Sequence, residues 1–339
     1  MQKRVGVAVI GCGRVAYSHL PAIKELGDMA ELVATVSRTK EHAEEAARKF
    51  GARRYYISLE EALQDSEIDA VVLCLPHHLH ASASVKALEH GKHVLVEKPM
   101  ANTVKEAEEM IEAAKKNGVI LMSGQSRRFY NAVLESKRYL DEGKIGKLIN
   151  INATLFGYVD KPPTPWWSSA EKAGGLIIPL FGSHTIDYIL WLFGKAPSRV
   201  YAETYSNNPN WEGEDEATIL MGFDDGSMAS ATMSWNARLV KLSEMKADEK
   251  ILPTPIYNRY VIGTEGTMHL EDELELSLNG EKLVSGLQKP GNFCLQMKEF
   301  VTSIIEGREP LASGKEVKKV VEVMEASQIS AKEQRVVCL

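Results

Sequence analysis

The sequence predicts an α/β fold in two parts, a doubly wound parallel sheet followed by an α+β domain with a large open, mostly antiparallel sheet. Three observations predict it. Up to Gly124, short apolar runs alternate with helical stretches. A glycine-rich turn follows the first of those runs directly. Beyond Gly124 the runs lengthen and alternate in polarity, and Asp225-Gly226 and Asn279-Gly280 supply the turn residues of hairpins.

The elements follow in order. Val5–Ile10 is a near-continuous apolar run ended by glycine, the pattern of a strand buried on both faces, and a helix follows it. Residues 32–36 form the second strand, and Lys40–Phe50, rich in Ala, Glu, Lys and Arg, a solvent-facing helix closed by Gly51. Residues 70–75 are another buried strand, stopped by Pro76. Residues 81–89 are helical, 93–96 a strand, 104–116 a helix ended by Asn117-Gly118, and 119–122 a strand. Strands separated by helices are βαβ units, which pair in parallel. Residues 129–142 make one helix. The later strands are Leu148–Phe156, Arg199–Tyr205, 217–223, 228–235, 257–262 and 274–278, with closing helices at 295–306 and 316–331. Residues 160–165, with Pro162, Pro163 and Pro165, and residues 242–255 are expected to be mobile loops.

Composition excludes several classes. At 339 residues the chain divides by size into two domains. Its 46 acidic and 40 basic residues lack the basic excess of a nucleic-acid binder. The run at Val5–Ile10 is too short for a signal sequence, and no stretch approaches the roughly 18 apolar residues of a membrane span. Cys12, Cys74, Cys294 and Cys338 are far apart, so neither a disulfide framework nor a zinc knuckle is expected, and the reducing cytoplasm is the expected location. His77-His78-Leu79-His80 offers three crowded histidines, but a metal site draws ligands from well-spaced elements, so no metal is expected.

Gly11-Cys12-Gly13-Arg14-Val15-Ala16 is the G-x-G-x-x-A form of the dinucleotide fingerprint, placed between a strand and a helix. Gly11 allows the tight turn, Gly13 lets the backbone approach a pyrophosphate, and Ala16 lets helix and strand pack closely. The helix N-terminus then offers N–H groups and partial positive charge to the anion. At the end of the second strand, where a carboxylate would bond a ribose 2′-hydroxyl, stand Ser37-Arg38-Thr39. A hydroxyl and a planar guanidinium suit a 2′-phosphate and favour NADP. Arg38 stacked on adenine would serve either cofactor, so NAD stays open.

Two further motifs carry a family resemblance. Pro76-His77-His78-Leu79-His80 leads into Ala87-Leu88-Glu89-His90-Gly91-Lys92-His93-Val94-Leu95-Val96-Glu97-Lys98-Pro99. Together they resemble the tPnxxH…GkHVlxEKP signature of the Gfo/Idh/MocA oxidoreductases, the family of glucose–fructose oxidoreductase and inositol dehydrogenase. The likeness extends over nearly the whole chain, through Gly124-Gln125-Ser126-Arg127-Arg128-Phe129, Glu142-Gly143-Lys144-Ile145-Gly146, Gly174-Gly175 with His184-Thr185-Ile186-Asp187, and Gly263-Thr264-Glu265-Gly266-Thr267. It implies an NAD(P)-binding Rossmann domain over residues 1–124 and a substrate-binding and oligomerisation domain over residues 125–339. The implied reaction moves hydride between nicotinamide and a carbinol carbon of a sugar, polyol or related small molecule.

The resemblance also implies roles. Gly11, Gly13, Arg14, Val15, Ala16, Ser37, Arg38, Leu75, Pro76, His80, Glu97 and Lys98 are expected at the cofactor. Lys98 and His184 are the expected catalytic residues. An ammonium at the sheet edge orients substrate and stabilises developing alkoxide, and an imidazole titrating near neutrality moves the proton. Pro99 allows a cis peptide beside the lysine. On the substrate side Arg127 would meet an anionic group, Trp166 and Trp167 would stack on a sugar ring, and Leu180 and His184 would complete the site. Sugar and polyol dehydrogenases of the family usually carry aspartate where this chain has Leu180. The substrate is then less hydroxylated there, another acid such as Asp160 or Asp187 substitutes, or chemistry has been lost. Two alternatives remain: a tightly bound cofactor recycled during sugar elimination or glycoside cleavage, and a non-catalytic NAD(P)-binding sensor. The open face of the second sheet, with strands alternating as 228–235 does, predicts a homodimer or homotetramer.

Overall fold

The computed structural model describes residues 4–238, 256–286 and 288–339, so the loop expected at 242–255 lies outside the described residues. Two compact units make up the chain, Met1–Phe129 with Lys289–Lys318, and Tyr130–Gln288 with Lys319–Leu339. The division falls just past the expected Gly124. Lys289–Lys318 returns to the first unit because its helix packs on the first helix of the chain, a long-range contact with no local signal.

In the first unit β1 (Val5–Ile10), β2 (Ala30–Val36), β3 (Arg54–Tyr56), β4 (Ala70–Leu73), β5 (His93–Glu97) and β6 (Leu121–Gly124) form a sheet in the order β3-β2-β1-β4-β5-β6. All its pairings are parallel. Every residue of β1 and β4 is buried, as near-continuous apolar runs require. Between the strands run α1 (Ala16–Glu25), α2 (Lys40–Phe50), α3 (Leu59–Leu63), α4 (His80–Glu89) and α5 (Val104–Asn117). Helix α2 has the expected bounds and ends on Gly51 at φ 79°, and α5 opens with a capping box between Thr103 and Glu106.

The second unit contains α6 (Asn131–Asp141), β7 (Leu148–Phe156), α7 (Ala170–Ala173), α8 (Ser183–Phe193), β8 (Arg199–Tyr205), β9 (Glu216–Gly222), β10 (Met228–Ser234), β11 (Ile256–Gly263), β12 (Thr267–Glu271), β13 (Glu275–Leu278) and β14 (Glu281–Val284). After α9 (Asn292–Glu306) in the first unit, α10 (Gly314–Glu333) runs from the first unit into the second, which β15 (Val337–Cys338) completes. Its sheet has the order β14-β13-β12-β11-β7-β10-β9-β8-β15, and only the pairing of β7 with β10 is parallel among the described strands. The expected hairpins form at Asp225-Gly226, between β9 and β10, and at Asn279-Gly280, between β13 and β14. Asn279 and Gly280 both have positive φ, 51° and 86°, the backbone a tight hairpin needs. One face of the sheet buries Ile151, Ala153 and Leu155 while Asn150, Asn152 and Thr154 face the other way. Among the described residues one helical run, Ala170–Phe193, is by length and composition apolar enough to cross a membrane, but its most apolar stretch is 89% buried, as in a core helix.

Candidate active site

The turn from β1 into α1 lies where the strand order reverses, between β1 and β4. Gly11 has φ +94°, and a Cβ there would stand 2.4 Å from the Cys74 carbonyl oxygen, so the turn closes only with glycine. Gly13 faces open space, and a Cβ would meet nothing within 4 Å. The protein itself therefore sets no limit on size at Gly13, whereas a pyrophosphate against the backbone would. Ala16 is fully buried at the start of α1, with Arg14 exposed and Val15 half-buried before it. At the end of β2 the Ser37 hydroxyl accepts the Thr39 N–H at 3.3 Å, and Arg38 is exposed. An open glycine at a helix N-terminus, with a cation and no carboxylate at 37–39, fits a nicotinamide dinucleotide.

Because the sheet is parallel, the end of β5 shares an edge with that turn. Lys98 follows β5 there, half-buried and joined to Pro99 by a cis peptide. Burial pushes its ammonium down to about 8; Glu97 opposes that shift, and Arg127 and Arg14 add to it. Glu97 itself points into the protein. Its Oε1 lies 2.7 Å from Nε2 of His19 on α1, and its Oε2 accepts the Lys98 N–H at 3.3 Å. Glu97, expected at the cofactor, is thus tied to α1. Gly124, its partner in β6, makes room, since a Cβ there would stand 3.1 Å from Oε1.

His80 also departs from expectation. It has no exposed surface, and its ring spans two carbonyl oxygens at 2.8 Å, Pro99 from Nδ1 and Leu75 from Nε2. It is a strut between the segment after β4 and the Lys98-Pro99 peptide, not a cofactor contact. Burial pushes its pKa down, while both carbonyl bonds pull it up. Leu75 and Pro76 remain half-buried on this edge, His77 is buried and His78 exposed. Arg127 and Arg128 have separate fates: Arg128 is 2% exposed and donates to the Leu311 carbonyl at 2.8 Å, whereas Arg127 stays half-buried.

In the second unit α8 begins after a π-helical turn, Ile178–Gly182, a deformation often found at functional positions. The Ser183 hydroxyl donates to the Pro179 carbonyl at 2.9 Å. His184 comes next and is half-buried. Leu180 has no exposed surface, so it packs within the core and does not line a ligand site as expected. Asp187 is buried and Asp160 half-buried. Trp167 is likewise a core residue, 8% exposed and edge-on to Phe181 at 6.0 Å; Phe181 meets Trp235 at 5.4 Å, and Trp235 meets Trp211 at 4.5 Å. Trp166 is half-buried and keeps exposed surface.

Two residues escaped the sequence reading. Glu214 accepts the Leu176 N–H at 2.7 Å, anchoring the helical run that carries His184, and burial raises its pKa. It lies between periodic segments, where nothing in the sequence marks it. His19 did leave a signal, a polar residue on the buried stripe of Ala16, Leu20 and Ile23.

A parallel sheet of this order, with an open glycine turn where the order reverses and a lysine on the same edge, defines a nicotinamide-dependent oxidoreductase. Residues 5–125 match the family model for the GFO/IDH/MocA oxidoreductase family, NAD-binding Rossmann fold, and residues 133–269 match the GFO/IDH/MocA C-terminal domain. The chain belongs to the Gfo/Idh/MocA oxidoreductase family. One relative is scyllo-inositol 2-dehydrogenase (NAD(+)) of Bacillus subtilis (strain 168), 28% identical over 92% of this chain and 90% of the relative. Another is scyllo-inositol 2-dehydrogenase (NADP(+)) of the same strain, 29% identical over 89% of this chain and 88% of the relative. Among solved structures, aldose-aldose oxidoreductase from Caulobacter crescentus complexed with glycerol is 26% identical, with a TM-score of 0.86 over 99% of this chain and 100% of that one.

Proposed function

We propose that this protein is a dehydrogenase that moves hydride between C4 of a nicotinamide and a carbinol carbon of a sugar or polyol. Lys98 carries the reading: it is a half-buried ammonium on the sheet edge where the glycine turn opens. When bound, the nicotinamide supplies or accepts the hydride. Gly11, Gly13 and the start of α1 hold the pyrophosphate, and Ser37 and Arg38 favour NADP over NAD. Lys98 orients the substrate oxygen and stabilises alkoxide charge. His184 moves the hydroxyl proton, Arg127 meets an anionic group, and Trp166 offers an aromatic face to the sugar. The names of the inositol and aldose relatives support the substrate class.

The protein works in the cytoplasm, a reading supported by its four free cysteines, and the uncovered face of its second sheet packs on another copy. Nucleotide binding is the first test, by quenching of NADPH and NADH fluorescence, followed by a panel of sugars and polyols with NAD⁺ and NADP⁺. Binding and turnover with at least one polyol are expected; binding of neither nucleotide ends the proposal. A second reading is favoured by the aldose-aldose relative, whose name pairs two sugars. In it the cofactor stays bound and is recycled, and nucleotide retained through dialysis identifies it.

A further inference from the structure

Beneath Lys98 lies a buried pair that the proposed chemistry does not use. His19 has no exposed surface, Glu97 is 8% exposed, and their 2.7 Å contact joins α1 to the end of β5. We propose that His19 is a positioning residue that couples the nucleotide turn to Lys98 through Glu97. The inference deepens the dehydrogenase reading and rests on it.

The chain of contacts is short. Helix α1 starts at the glycine turn, and His19 sits one turn into it. The His19 ring packs edge-on against Phe293 of α9, with centroids 5.0 Å apart, so its direction is fixed from both sides. Nδ1 has no hydrogen-bond partner among the described residues, so nothing competes with the tautomer that carries its proton on Nε2 and donates to Glu97. The carboxylate is then held by His19 on Oε1 and by the Lys98 N–H on Oε2, in the space that Gly124 leaves. Burying a carboxylate costs free energy that such donors offset. Any nucleotide that orders the start of α1 also orders His19, and with it the negative group beside Lys98.

The surrounding charges make that group matter. Lys98 is flanked by Glu97, Arg127 and Arg14, and Glu97 alone of these favours the ammonium. Glu97 also acts on Cys74 and His80. Burial holds the Cys74 thiol well above its ordinary pKa, so it supplies no competing charge at neutral pH. Without the His19 donor the Glu97 carboxylate loses the contact that fixes its direction, and Lys98 faces the two arginines with less compensation.

Competitive acetylation of Lys98 by acetic anhydride, read by peptide mass spectrometry across pH in the nucleotide-free protein, tests this directly. In His19→Leu the Lys98 midpoint should fall by about one pH unit, a roughly tenfold gain in labelling at fixed pH below it. Glu97→Gln should shift it at least as far. His19→Gln, whose amide nitrogen can stand in for Nε2, should restore most of the wild-type midpoint. The alkaline limb of kcat/KM should move with the labelling midpoint, with a smaller change in NADPH affinity. An unchanged midpoint in a His19→Leu protein that still binds NADPH overturns the proposal. If that variant does not fold, an unchanged midpoint in Glu97→Gln does the same. Lys98→Met separates the two readings: full turnover in it defeats the dehydrogenase mechanism, whereas lost turnover with an unmoved His19→Leu midpoint defeats the coupling alone.

Discussion

Lys98 makes the sharpest demand at the scale of single residues. Its ammonium is a donor only while protonated, and burial lowers its midpoint from the usual lysine range to about 8. The sign follows: in the direction of carbonyl reduction, kcat/KM should be level below that midpoint and fall about tenfold per pH unit above it. A profile that stays level well into the alkaline range removes the ammonium from the rate-limiting step. Arg38 carries the second prediction at this scale. Arg38→Ala should weaken NADPH about tenfold to hundredfold while changing NADH little, the worth of a charge-assisted bond to the 2′-phosphate. Equal losses for both would mean that it stacks on adenine and does not select. Gly11, Gly13 and Lys98 were legible in the sequence because each belongs to a motif whose spacing carries its mechanism. His80, Leu180 and Trp167 are legible as important, yet their places in the core are not, because a motif names a residue without saying which way it points. Burial turns all three inward.

At the scale of elements, pattern length decided what could be read. Strands such as β7 and β8 have their expected bounds because several residues repeat one alternation. β3 has three residues, α3 has five and β14 has four, too few for a period to show, and these were missed along with β12. β11 adds a subtler case. Its alternation puts Tyr257, Arg259 and Val261 on the buried face, so a guanidinium enters the core. There Nη2 donates to Glu273 Oε1 at 2.7 Å, and the guanidinium carbon stands 3.4 Å from the centre of the Tyr257 ring and 4.7 Å from that of Tyr188. Removing one partner strands a buried charge. Glu273→Ala should therefore cost about 3–5 kcal/mol in urea unfolding, whereas the apolar double variant Arg259→Met with Glu273→Leu should lie near wild type. A loss below about 1 kcal/mol in Glu273→Ala would show that solvent reaches the pair.

For the whole molecule, the change of pattern near Gly124 lies just before Phe129, where the first stretch of one compact unit ends, whereas the return of Lys289–Lys318 to that unit has no such signal. Membership of a helix in one unit depends on contacts across most of the chain, and its own residues carry no trace of them. Assembly is the other property of this scale. Helices α6 and α8 pack on the second sheet, and beyond the short β15, Ala202 of β8 donates its N–H to the Ser330 hydroxyl of α10. On the face opposite Ile151, Ala153 and Leu155, the side chains of Leu220, Met228 and Tyr260 are 51%, 53% and 47% exposed, beside a groove of about 360 Å³ lined in part by Asn152, Tyr201 and Ser230. Apolar side chains among mostly neutral polar ones, with Arg199 at the groove, suit a partner presenting the same surface about a two-fold axis. A second copy of this chain meets that condition without further specification. Light scattering at micromolar concentration should give the mass of a dimer or tetramer for the wild type. Leu220→Arg with Met228→Lys should give a monomer, because two cations then meet their own copies across the axis. Both side chains are about half exposed, so the double variant should unfold at the wild-type urea midpoint, separating lost assembly from lost folding. A wild-type monomer, or a double variant that keeps the full oligomeric mass, would mean that this face does not carry the assembly.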